Sequence, residues 1–245
     1  MSHRDEYKQW PFLTEEEFEL ACALFDKKYV QAKMGPTRQI FKIRVRRTMT
    51  TGVTYVEILR LLKLPENNLD LLDAFGKMKA SEEEAATDAD MMDENTDEEA
   101  LRTTNQQDDG LPQYTTYARQ PYVTYEIHLH PTYRTPTLWF TLHDLPMGEP
   151  TFNLDSVYRY LVPPEYKSGL RAAGITGGIS AALNPVTDIP AFFIHPCQTG
   201  EAMEKLDCSI DNYLMMWIGL VGGCVGLWVP KEMAQAEKSG SIVIR

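Results

Sequence analysis

Tyr122-Val123-Thr124-Tyr125-Glu126-Ile127-His128-Leu129-His130-Pro131-Thr132-Tyr133-Arg134-Thr135-Pro136-Thr137-Leu138-Trp139-Phe140-Thr141-Leu142 decides the fold class. In its first half Tyr125, Ile127 and Leu129 alternate with Glu126, His128 and His130, the period of two expected of a strand with one apolar face. Pro131 to Pro136 makes a turn, and Thr137 to Leu142 returns as a second strand. Strands adjacent in sequence and joined by a short turn pair antiparallel. The chain therefore predicts an α+β fold with a central antiparallel β-sheet flanked by helices, not a doubly wound parallel one.

The same pattern recurs upstream. Gln39 to Thr48 places Phe41, Ile43 and Val45 on one side and Lys42, Arg44 and Arg46 on the other; Thr51-Gly52 is a turn and Val53 to Leu61 the returning strand. Before this hairpin, Thr14-Glu15-Glu16-Glu17 is a capping box that leads a helix with Phe18, Cys22, Phe25 and Tyr29 on one face. Downstream, Leu154 to Leu161 predicts a short helix ended by Pro163-Pro164, and Arg171 to Leu183 a glycine-rich loop without the lysine or spacing of a phosphate loop. Tyr213 to Val229 is apolar but too short for a bilayer and interrupted by glycines. It splits into a buried helix over about 212–220, a Gly-Gly turn and an apolar stretch closed by Pro230, so no transmembrane segment is expected.

Composition narrows the partners. The net charge of -11 is concentrated between Gly76 and Gly110, where 12 acids stand against 3 bases; the remainder holds 23 acids and 21 bases. The acidic stretch has too little apolar content to offset the entropy of ordering, and is expected to be a flexible, disordered insert. The near-neutral remainder, at 43% apolar residues over the whole chain, suits a packed core and offers no basic face for nucleic acid. The expected organisation is an N-terminal helix and first hairpin over 1–75, the acidic insert over 76–110, the rest of the domain over 111–230 and a C-terminal tail over 231–245. Cys22, Cys197, Cys208 and Cys224 form no CxxC pair, and the N-terminus lacks the apolar core of a signal peptide, so reduced thiols in the cytoplasm are expected.

The chemistry centres on Phe192-Phe193-Ile194-His195-Pro196-Cys197, followed by Gln198-Thr199-Gly200-Glu201. The apolar run predicts a buried strand, Pro196 stops it, and Thr199 is placed to cap a short helix. Cys197 then sits at a strand-to-helix junction, where the helix dipole, and His195 if protonated, favour a nucleophilic thiolate. Other readings are weaker. Glu126, His128 and His130 share a strand face but have no further metal ligand, and fit a polar solvent face on an edge strand. A zinc deaminase would need a second cysteine where Gly200 stands. A papain-like hydrolase would need a histidine, and His143 and His195 lack its motif context. A thiol without an evident general base suits a thioester relay, which demands oxyanion stabilisation more than base catalysis.

At His195-Pro196-Cys197, with Thr199, Glu201 and Met203 following, the chain resembles the autophagy E2-like conjugating enzymes, whose catalytic cysteine lies in a His-Pro-Cys motif. Tyr133-x-x-Pro136-x-Leu138-x-Phe140, with the C-terminal run Tyr213, Trp217, Leu220-Val221-Gly222, Val225-Gly226-Leu227 and Pro230, is similar to the autophagy-related protein 10 family. It is less like the lipid-conjugating sister, autophagy-related protein 3. The resemblance implies an E2-like fold whose Cys197 accepts the ubiquitin-like autophagy-related protein 12 from the E1-like autophagy-related protein 7. The modifier then passes to a lysine of autophagy-related protein 5, at or near the autophagosome assembly site. No metal or organic cofactor is implied.

Ubiquitin E2 enzymes support their transition state with an asparagine upstream of the cysteine. By motif position the resemblance offers Tyr133 for that role, then Asn184 of Asn184-Pro185, with Ser180 a third choice; His195 either tunes the thiol or fixes its loop with Pro196. The alternatives are a lipid-conjugating enzyme, a non-catalytic E2-like adaptor and a cysteine hydrolase.

Overall fold

The structure, a computed structural model, describes residues 3–62 and 120–235. The acidic stretch 76–110 lies outside the described residues.

Helix α1, Glu15–Gln31, begins as its sequence dictates: the Thr14 hydroxyl accepts from the Glu17 amide and the Glu17 carboxylate accepts from the Thr14 amide. Its buried stripe of Phe18, Ala21, Cys22, Phe25 and Tyr29 lies on strands β1 (Phe41–Arg47) and β2 (Thr54–Leu61). A four-residue helix α2, Thr37–Ile40, precedes β1. Strands β3 (Tyr122–Leu129) and β4 (Pro136–His143) form the second hairpin, and β5 (Ile179–Leu183) and β6 (Pro190–Ile194) the third. They make one six-stranded antiparallel sheet in the order β1-β2-β3-β4-β6-β5.

Register puts one row of side chains into the core. Ile43, Ile58, Tyr125, Phe140 and Phe192 lie across successive strands on the helix-covered face, all buried. The chain over Tyr213–Val221 forms helix α6, with Tyr213, Leu214, Trp217 and Ile218 buried, and packs against α1. Gly222–Val225 turns as a 3-10 helix, where the Val225 carbonyl accepts from the Tyr125 hydroxyl at 2.7 Å and fastens this turn to the middle of the sheet. The C-terminal helix α7, Lys231–Gln235, buries Met233.

Two expectations are corrected. The stretch 171–183 is not a loop: helix α4 runs over Pro164–Gly177, broken in backbone geometry at Gly174, and β5 follows at once. Pro164 stands in the first turn of α4, where the missing amide hydrogen costs nothing, so Pro163-Pro164 both ends helix α3 (Leu154–Tyr160) and opens the next one. The second concerns β3, which lies inside the sheet between β2 and β4 and is not an edge strand; His128 is buried.

Candidate active site

Strand β6 ends at Ile194, and Pro196–Gln198 makes one 3-10 turn before helix α5, Thr199–Glu204. His195 is the cap of that turn. Its Nδ1 accepts from the Cys197 amide at 3.2 Å, which places the ring proton of a neutral imidazole on Nε2. Thr199 does not cap: it is the first residue of α5, and its own amide donates to the Pro196 carbonyl. The cap moves four residues upstream because Pro196, in the first turn, lets the helical path start before Cys197.

Cys197 is exposed, whereas Cys22 and Cys208 are buried and Cys224 partly so; none is in a disulfide. Burial pushes the other three thiols up, Cys224 to about 11. Access and chemistry therefore select the same sulfur.

The β3–β4 turn reaches this junction through the sheet. Trp139 pairs with Phe193 in the β4–β6 ladder, so the residues before β4 run alongside those after β6. Gly200 confirms the proximity: a Cβ built there would meet Phe12 at 3.0 Å and the Thr135 methyl at 3.7 Å. The Tyr133 ring stands edge-on to His195 with centroids 5.7 Å apart, and the His130 ring lies 4.7 Å from that of Tyr133. Tyr133 and His195 are thus brought together, His195 standing two residues before Cys197.

Asn184 sits elsewhere. It opens the β5–β6 turn, with the whole of β6 between it and Cys197, five residues or roughly 16 Å of extended chain. It is buried, and its amide is engaged on both sides: Oδ1 accepts from the Val186 and Thr187 amides at 2.8 and 3.1 Å, and Nδ2 donates to the Glu126 carboxylate at 2.8 Å. Since Glu126 belongs to β3, the hairpin tip folds over the sheet face and skips β4. The same carboxylate meets His128 Nε2 at 2.8 Å. Burial works to raise the Glu126 carboxyl, but the hydrogen bonds from His128 and Asn184 outweigh it and hold it below the usual value. His130 lies beyond the strand end and does not join this pair, and no group of three or more His, Cys, Asp and Glu among the described residues is placed to hold a metal. Ser180 lies in β5 opposite Phe193.

Two residues of the turn have contacts that the sequence does not give them: His130 is expected there on a polar strand face, and Arg134 is not singled out. His130 Nδ1 accepts from the amides of Thr132 and Tyr133, both at 3.2 Å. Arg134, at φ 53°, exchanges main-chain hydrogen bonding with the N-terminal segment: its carbonyl accepts from the Leu13 amide at 2.8 Å, its Nε donates to the Leu13 carbonyl at 3.2 Å and its Nη1 to Gln9 Oε1. The only available signal was a histidine immediately before the turn, which is too common to read without coordinates.

Comparison with known proteins gives the family. The family model of the autophagocytosis associated protein, active-site domain, matches residues 17–232. That span includes every strand of the sheet and the cysteine junction. The chain belongs to the autophagy E2-like conjugating enzymes of the ATG10 family. Among relatives, the ubiquitin-like-conjugating enzyme ATG10 of Gibberella zeae is 47% identical over 240 residues, covering 93% of this chain and 98% of that protein. The ubiquitin-like-conjugating enzyme ATG10 of Homo sapiens is 31% identical over 130 residues, 49% of this chain and 57% of that one. As an ATG10-family member the chain has E2-like conjugating activity, and the α+β sheet described above is consistent with the UBC-like fold. No helix among the described residues is long and apolar enough to cross a membrane.

Proposed function

We propose that Cys197 carries a ubiquitin-like modifier as a thioester and passes it to a lysine amine. The observation that supports this most is the junction itself: one exposed thiol held on a capped turn at the end of a sheet strand, with Tyr133 against His195, two residues before it, and three other thiols withdrawn into the protein. The Cys197 sulfur attacks the E1-bound acyl carbon and the E1 thiolate leaves. The lysine amine then attacks the same carbonyl, the cysteine thiolate departs, and the amine proton goes to solvent. The developing oxyanion needs a donor, and the Tyr133 hydroxyl is the one we assign. His195 keeps the loop in shape through the Cys197 amide, and Asn184 contributes by fastening the β5–β6 hairpin to Glu126.

Family membership supports autophagy-related protein 7 as E1-like donor, autophagy-related protein 12 as modifier and autophagy-related protein 5 as acceptor, and the cytoplasm is the compartment proposed. The deciding experiment offers a preformed Cys197 thioester three acceptors in parallel: autophagy-related protein 5, phosphatidylethanolamine vesicles and buffer alone. An isopeptide on the protein is the expected product. A modified lipid assigns the chain the sister's reaction, and release to water as fast as in the presence of either amine assigns it hydrolysis.

A further inference from the structure

The turn that carries Tyr133 is held on two sides. Arg134 ties it outward to Gln9 and Leu13, and the His130 imidazole ties it inward, with one nitrogen accepting two successive amides. We propose that His130 is a positioning residue for modifier transfer: through the lone pair on Nδ1 it fixes the Thr132–Tyr133 backbone and so keeps the Tyr133 ring against His195, two residues before the reacting cysteine. This deepens the reading of Cys197 as the modifier carrier and rests on it.

The geometry makes the hold conditional on protonation. An imidazole that carries a proton on both nitrogens has no lone pair for the amides of Thr132 and Tyr133, so gaining the second proton breaks both hydrogen bonds at once. Burial, and then the nearby charge of His195, keep His130 below the ordinary imidazole value. The turn is accordingly intact at neutral pH and loosens on acidification. The titratable groups that face His130 are Tyr133 from its own turn and His195 from the segment after β6; Arg134 is directed to the N-terminal segment.

An asparagine at this position offers a carbonyl oxygen to the same two amides, as in an Asx turn, and does not titrate. The test is single-turnover discharge of the Cys197 thioester to autophagy-related protein 5, between about pH 5 and 8, for the wild type, His130→Ala and His130→Asn. Thioester loading by the E1-like enzyme is measured first for each, and reports that the domain is folded and the thiol competent. His130→Ala should load normally and discharge slower by roughly tenfold or more. His130→Asn should recover most of the rate at neutral pH. The ratio of wild type to His130→Asn cancels the titration of the acceptor lysine, and should fall by roughly threefold or more on the acid side. Normal loading with a pH-independent ratio, or with His130→Ala discharging like the wild type, overturns the role of His130 and leaves the carrier reading intact. No thioester on the wild type overturns both.

Discussion

At the scale of single residues, burial separates the four thiols. Burial raises Cys22, Cys208 and Cys224, leaving little thiolate at neutral pH, while Cys197 is open to solvent. Limited iodoacetamide treatment near pH 7.5, followed by peptide mass spectrometry, should therefore label Cys197 at least roughly tenfold faster than any other; comparable labelling of Cys224 would contradict this ordering. Tyr133→Phe removes one hydroxyl and keeps the ring that meets His195. Loading should be unaffected and discharge slowed roughly tenfold to a hundredfold, as for loss of one oxyanion donor. Equal loss in both steps would instead mark Tyr133 as a packing residue. Cys197 itself was legible in the sequence because strand, proline and thiol are neighbours in the chain. The position of Tyr133 was not, since it depends on the register of β4 against β6, a pairing between residues more than fifty positions apart.

At the scale of elements, the site is the meeting of three segments: the end of β6, the β3–β4 turn and the N-terminal stretch before α1. Phe12 packs on Gly200, and Arg134 grips Leu13, so the segment before α1 braces both the turn and the helix after the cysteine. The β5–β6 hairpin has its own fastening. Asn184→Ala would leave the Val186 and Thr187 amides without their acceptor and Glu126 without one donor, a loss of about 1–3 kcal/mol in urea unfolding. Unchanged stability would show that the hairpin tip is held by other contacts. Local signals served well where structure is local: the capping box at Thr14 appears as read and the strands expected at β1 to β4 form, although Val45 of β1 is exposed and His128 of β3 buried, against the alternation read there. They failed at 171–183 because Pro163-Pro164, read rightly as a helix stop, also starts a helix that runs on to Gly177, and because Ile179-Ser180-Ala181-Ala182-Leu183 becomes a strand through pairing with β6.

Over the whole molecule, the sheet and the C-terminal helices share one core, so strain at their junction should be felt globally. Gly226 has φ 67°, and a Cβ there would lie 2.8 Å from the Leu161 carbonyl oxygen. Gly226→Ala should cost about 2 kcal/mol or more and lower Tm by roughly 4–8 °C in a thermal melt; an unchanged Tm would mean that the turn has another conformation. Acid should weaken the fold through Glu126 as well. Its folded-state pKa lies below the unfolded value of 4.5, so its stabilisation is present above that pH and is lost as pH falls through the folded value. Glu126→Gln should flatten this part of the stability profile below about pH 4.5.

The carrier role of Cys197 is tested most directly on a non-reducing gel. The protein and its Cys197→Ser variant are incubated with the E1-like autophagy-related protein 7, autophagy-related protein 12 and ATP. The wild type should give a shifted band that reductant abolishes, and the serine variant a band that survives reductant as an oxygen ester. If the E1 is charged and neither form shifts, Cys197 does not carry the modifier, and the fold serves as a non-catalytic adaptor.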